Sequence, residues 1–265
     1  MTSDLRTFNR KGSRFYVDDS TGIDVPGVTS VKDMRDMKFL QFWSAKSVAE
    51  YAVDNLGALV TLALRDPKAA VDLLKNAPRR ESGKAADFGT ESHNLFERMA
   101  RGEELGRVHP EYAPMVAHFQ EFLDQAQPEF LYLEETVWSD THGFAGSFDA
   151  IARIGEETVL LDWKTTRSGV HNDVVLQLNA YANADRIVLS ATGESVPMPK
   201  IDALAVLHVR PEGGGLYPIK LDRAQFDVFL HQIHVLNWEQ KLSRGVVGRP
   251  VLTMGQQQTG SERRA

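Results

Sequence analysis

The chain has 265 residues, 42% of them hydrophobic and 25% charged, which is enough for one large domain or a core with an added lobe. A net charge of −6 excludes a polybasic nucleic-acid coat, so any contact with a polyanion falls to local patches. The absence of cysteine excludes disulfides, thiolate zinc sites and cysteine-held iron–sulfur clusters.

The polar start, MTSDLRTFNRKGSRF, has no apolar stretch. It argues against a secretory leader or a membrane anchor and points to a cytoplasmic protein. Ser13 to Asp18 reads as a strand, Ser20 to Gly22 as a turn, and Asp24 to Ser30 as a second extended piece ending in a helix N-cap. Helical patterning follows over Ala45 to Leu64, and again over Pro67 to Leu74 with Pro at its start. Arg79, Arg80 and Lys84, interrupted by Glu81, Ser82 and Gly83, read as a basic linker that either touches phosphate or is simply solvated.

A helix from about Ala85 to Met99 puts Gly89, His93 and Glu97 on one face. A single His on a helix is more often a surface or hydrogen-bonded residue than a ligand. Pro110 to Ala126 is a further amphipathic helix, and Glu129 to Trp138 is strand-like with acids at Glu134 and Glu135.

Gly143 to Tyr181 organises the rest. It reads as a β-hairpin followed by a helix, with Asp149 on the first strand, Asp162 and Lys164 on the second, and Gln177 and Tyr181 on the helix. Residues two apart on a strand share a face, so Asp162 and Lys164 project together and Trp163 points away. The run Thr158 to Leu161 is apolar, which places Asp162 on a buried strand where a lone charge is costly. A second carboxylate at Asp149 would repel it unless a cation lies between them. Two acids and a Lys on adjoining strands suit metal-assisted phosphodiester hydrolysis, with Mg²⁺ or Mn²⁺ held by the acids and Lys164 polarising the attacking water. The plainer alternative is a salt bridge at a strand end.

Lys200 to Val209 and Leu216 to Leu221 read as two strands joined by a turn at Gly213 to Gly215, and Asp222 as the cap of a helix over Arg223 to Leu242. His231 and His234 share a face of that helix with Asp227, which is either a second metal site or the polar side of an amphipathic helix. The tail from Met254 is polar, with Arg263 and Arg264 as candidate DNA contacts.

Three short motifs, Gly146-Ser-Phe-Asp149, Leu161-Asp162-Trp163-Lys164-Thr165 and Gln177-Leu-Asn-Ala-Tyr181, resemble in order and spacing the core of the RecB-type branch of the PD-(D/E)XK nuclease superfamily. Pro26-Gly-Val-Thr29 and Trp43 are loosely similar to the opening of phage-type exonucleases of that branch. The resemblance implies an α/β fold: a restriction-endonuclease-like mixed sheet of four to five strands flanked by helices, with a mainly helical N-terminal region. Residues 1–84 would form that region, 85–253 the nuclease core and 254–265 the polar tail. Gly89 to His93 matches a G-x-x-x-H whose imidazole completes the metal site, which makes His93 a ligand beside Asp149, Asp162, the Trp163 carbonyl and Glu134, which the local pattern E-x-T-V favours over the strand-phase alternative Glu135. Glu97 would orient His93 or pair with Arg98 or Arg101. Gln177 and Tyr181 would contact DNA near the scissile phosphate.

The implied activity is a divalent-metal-dependent exonuclease of phage or bacterial recombination and repair. DNA would be its partner, with a recombination or single-strand annealing protein beside it, as a monomer or an oligomer. CRISPR-associated members carry an iron–sulfur cluster on four cysteines, which this chain lacks. Two rivals are an endonuclease using the same site and a non-catalytic DNA-binding protein; clustered acids, which repel phosphate, argue against the latter.

Overall fold

The structure, a computed structural model, describes residues 5–35, 38–252 and 254–255. Arg263 and Arg264 lie outside the described residues. The chain opens with β1 (Leu5–Arg10), β2 (Ser13–Asp18) and β3 (Ile23–Pro26), an antiparallel sheet. The short α1 (Val28–Lys32) follows at once. Ser30 is therefore inside a helix rather than capping one, and its hydroxyl accepts from the Arg14 N–H at 2.7 Å.

The long helix expected over Ala45 to Leu64 is two, α2 (Lys38–Asp54) and α3 (Leu56–Arg65). Asn55 breaks it: its side-chain amide donates to the Tyr51 carbonyl at 2.9 Å, competing with the helical ladder. Asp66 caps α4 (Pro67–Lys75) by accepting from the Ala69 N–H. Next, α5 (Ala77–Ala100) absorbs the expected linker, so the boundary at residue 84 falls inside a continuous helix. Gly83 weakens helix locally, but tertiary contacts override it. The Ser47 hydroxyl donates to Glu81 at 2.7 Å, and the Arg80 guanidinium lies 4.7 Å over the Tyr51 ring, tying α5 to α2.

After α6 (Ala113–Ala126), the single strand expected over 129–138 divides into β4 (Glu129–Leu133) and β5 (Thr136–Ser139). β6 (Phe144–Ser147) and β7 (Ala150–Ile154) divide at the same level, then β8 (Glu157–Lys164) leads to α7 (Asp173–Ala182). β9 (Arg186–Val188) and β10 (Ser195–Pro197) were not anticipated, being only three residues each. β11 (Ala203–Arg210) and β12 (Gly213–Ile219) form a hairpin turning at Pro211 and Glu212, so the glycines lie in β12 and not in the turn. α8 (Arg223–Asn237) is capped by Asp222 and runs into a π-helical turn, Trp238–Leu242.

The fold is mixed α/β. The main sheet has the order β12-β11-β8-β7-β4, with β11 parallel to β8 and the other pairs antiparallel. A second, antiparallel sheet has the order β10-β9-β5-β6. One core cluster packs Ile151, Leu160 and Val206 against α1, α7 and α8. On the opposite face Leu161, Trp163 and Leu207 pack against Phe96 of α5 and Phe119 of α6. Among the described residues no helix is long and apolar enough to cross a membrane.

Candidate active site

The candidate site forms where β8 ends. Asp162 and Lys164 share the face of β8 that carries Leu160, while Trp163 is fully buried on the other face against Phe96 and Phe119. Ala150 opposes Leu161 in the β7–β8 ladder, so Asp149, at the bend one residue earlier, comes opposite Asp162. The Trp163 N–H donates to Asp149 Oδ2 at 2.5 Å and fixes that carboxylate.

Asp149 and Glu134 occupy a shared hinge. β4–β5 and β6–β7 form one antiparallel ribbon that leaves the main sheet and enters the second, and it bends at residues 134–135 and 148–149. The Glu134 N–H donates to the Asp149 carbonyl at 2.9 Å, and the Phe148 N–H to the Glu135 carbonyl at 3.1 Å. Glu134 sits in the left-handed region at φ 53°, strain that a non-glycine residue keeps only where its surroundings demand it. This turn separates the two acids. Glu134 faces Asp149, while the Glu135 carboxylate accepts from the Ser190 N–H at 2.6 Å in the β9–β10 connection.

α5 passes over the same sheet end and brings His93 to Asp149, with Nδ1 and Oδ1 3.6 Å apart. His93, Glu134 and Asp149 each offer a donor atom within 4.8 Å of the others, from three separate elements. Asp162 stands beside this trio, not in it. Its Oδ2 is 2.5 Å from Lys164 Nζ, and its Oδ1 accepts from Gln177 Nε2 at 3.1 Å.

The electrostatics follow from crowding acids into a buried place. Burial, reinforced by the charge of Asp149, pushes the Glu134 carboxyl up to about 8. Burial likewise lifts Asp162 to about 6, with Lys164 opposing and Asp149 adding to the rise. For Asp149, burial is outweighed by His93, Lys164 and the Trp163 N–H, which hold it below the usual carboxylate range. Burial would also lower His93 and Lys164, but Asp149 raises the imidazole above its ordinary value and Asp162 with Asp149 does the same for the ammonium. A carboxyl that retains its proton next to an ionised neighbour and an imidazole is a donor set suited to a divalent cation, whose charge would remove the repulsion.

Other expected site residues are placed differently. Tyr181 is 2% exposed, packed on Gly146, and its hydroxyl accepts from Gln177 Nε2 at 3.2 Å; it touches the site through Gln177 and not by reaching a ligand. A Cβ on Gly146 would lie 2.7 Å from the Tyr181 ring and 3.1 Å from Val28, which is why glycine stands there. Glu97 pairs with Arg101 at 2.7 Å and leaves His93 to Asp149. Arg80 is exposed and engaged with Tyr51 and with the Leu73 carbonyl at 2.9 Å, contacts that join α5 to α2 and α4. Lys84, nine positions before His93, points about 180° away around α5; Arg79 lies within about 40° of the His93 face but about 21 Å along the axis. Asp227 is taken by Arg223 at 2.8 Å, and His231 Nδ1 meets the Asp227 carbonyl at 2.6 Å.

The sequence reading missed Lys32 and Arg35, which lie 2.5 Å and 3.6 Å from Asp173 at the start of α7. Neither carries a motif. The packing of α1 and the turn after it on α7 brings them to Asp173, whose charge helps raise Lys164.

No family model matches the chain, and no curated protein matches it. Among solved structures the chain is similar to the crystal structure of SSO0001, at 15% identity and a TM-score of 0.31, covering 76% of this chain and 91% of that one. So loose a likeness leaves both fold family and function to be argued from the residues.

Proposed function

We propose that this chain is a divalent-metal-dependent deoxyribonuclease with a restriction-endonuclease-like, PD-(D/E)XK core, acting as an exonuclease on DNA ends. One observation carries the reading: donor atoms of His93, Glu134 and Asp149 converge within 4.8 Å beside an Asp162–Lys164 ion pair. The core assignment is supported by the β7–β8 hairpin, the parallel β11 beside β8 and the α7 crossover between them. The exonuclease reading rests on the order and spacing of the three motifs.

His93, Glu134 and Asp149 would hold Mg²⁺ or Mn²⁺, with Asp162 and the Trp163 carbonyl close by. Such an ion supplies Lewis-acid polarisation of a phosphate and a nucleophilic water at neutral pH. The chain's own residues do the rest. The Trp163 N–H and His93 fix Asp149, and Gln177 orients Asp162 from the other side. Lys164 keeps its proton, so it presents a fixed positive charge to the oxygens on which charge accumulates as water bonds to phosphorus and the sugar oxygen leaves. The protein need not supply a covalent nucleophile.

The test is digestion of end-labelled linear DNA beside a closed circle, with Mn²⁺, Mg²⁺ or EDTA, using wild type and Lys164→Ala. The expected result is metal-dependent loss of the linear DNA alone, slowed about 10²–10³-fold by the substitution. Cleavage of the circle would replace the exonuclease by an endonuclease on the same site. Intact DNA under every metal and strand type, with binding retained, would overturn the catalytic reading.

A further inference from the structure

Lys164 is the last residue of β8, so ladder pairing ends with it and the chain beyond needs another anchor. That anchor comes from the neighbouring strand. β11 runs parallel to β8 with Val206 beside Asp162 and His208 beside Lys164, so His208 stands on the same face as the acid and the amine. Its position is unusual for a polar side chain: it continues the apolar series Leu204 and Val206 and is 4% exposed. A buried imidazole there is costly unless both its position and its proton are used.

They are used on one atom. His208 Nε2 lies 2.7 Å from the Thr166 carbonyl, and since a carbonyl only accepts, the proton is on Nε2. Thr166 is itself the centre of the turn leaving β8: its hydroxyl donates to the Gly169 carbonyl at 2.7 Å, and its carbonyl also receives the Gly169 N–H at 3.4 Å. β12 closes the other side. A Cβ on Gly214 would lie 2.8 Å from the His208 carbonyl, so glycine lets β12 approach, and the Tyr217 ring meets the imidazole edge-on at 6.2 Å.

The turn that His208 holds joins the two residues that grip Asp162, Lys164 before it and Gln177 on α7 after it. We propose that His208 is a positioning residue for the reaction: through the Thr166 carbonyl it fixes the exit from β8 and so the placement of Lys164 against Asp162. The role rests on the nuclease reading, because it acts through Lys164. It adds to that reading a residue outside every motif that suggested it.

The test compares full-length His208→Phe, which keeps the ring volume and removes the donor, with His208→Gln, whose amide nitrogen reaches the same carbonyl. Three quantities are read: kcat and KM on linear DNA, Mn²⁺ affinity by calorimetry, and amide hydrogen exchange over residues 165–172. His208→Phe should lower kcat about 10- to 100-fold with KM and Mn²⁺ affinity within about twofold, and speed exchange in the turn. His208→Gln should return kcat to within about threefold of wild type and restore slow exchange. Unchanged exchange and kcat in His208→Phe would overturn the role, as would equal losses in both variants following their thermal stability. Wild-type protein that leaves DNA intact would overturn the nuclease reading instead, so the two failures fall on different assays.

Discussion

Two clusters of histidine and carboxylate look alike in the sequence and part company in the structure. His93 with Glu97, and His231 and His234 with Asp227, both set imidazole and acid at helical spacing. On α8 that spacing is all there is: Arg223 neutralises Asp227, and His231 turns back to its own helix. On α5, Glu97 is likewise lost to Arg101, but His93 gains Asp149 and Glu134 from the ribbon hinge. A site is built here by convergence of elements whose backbones are fixed independently, and helical spacing alone supplies only the opportunity.

The strongest way to break this contrast is to remove one converging member. Asp149→Asn should abolish Mn²⁺ binding by calorimetry and DNA cleavage together, and Lys164→Ala should cost about 10²–10³-fold in kcat while leaving Mn²⁺ bound. Either variant cleaving normally would dissolve the distinction.

A second test uses protons. Glu134 stays protonated to about pH 8 in the folded chain, against an ordinary value of 4.5. Its folded pKa is raised, so without metal this group's contribution makes stability fall as pH climbs from about 4.5 to about 8. A cation has to displace that proton. Mn²⁺ affinity should therefore rise at least about tenfold per pH unit below about 8, more steeply where the His93 imidazole is charged as well, with protons released on binding, whereas a pH-independent affinity would remove Glu134 and His93 from the ligand set.

Convergence also depends on packing, which a one-helix cluster does not. Gly146→Ala forces a methyl against Tyr181 and Val28 and should cost about 1–3 kcal/mol of stability, read as a lower melting temperature, with kcat falling as Gln177 shifts. The smallest effect sharpens the contrast from the other side. Replacing His231 and His234 by Ala should change Mn²⁺ affinity by less than about twofold.

Elements were legible where local pattern and burial agree. β2 and α4 lie within a residue of expectation, because periodicity, caps and apolar runs are local signals. Asp149, Asp162 and Lys164 were legible for the same reason, as strand phase alone puts the last two together. What was hidden depends on partners distant in sequence. The ribbon hinge reads as one unbroken strand until the second sheet is known, so strand phase competes with the local E-x-T-V pattern that favours Glu134 over Glu135. Nothing local to Arg80 announces that it lies over Tyr51 of α2. His208 had a faint signal, a polar residue in phase with Leu204 and Val206, but its acceptor is 42 residues away.

Trp163 adds a consequence of a different kind. Its indole is fully buried and meets the His93 imidazole edge-on, with ring centroids 6.0 Å apart. Charging that imidazole, or drawing its electrons toward a ligand, alters the field felt by a fluorophore the chain already carries. With Trp43, Trp138 and Trp238 replaced by Phe, the remaining emission would follow occupancy of the site in real time, separating the arrival of an ion from the cutting of DNA without any dye attached.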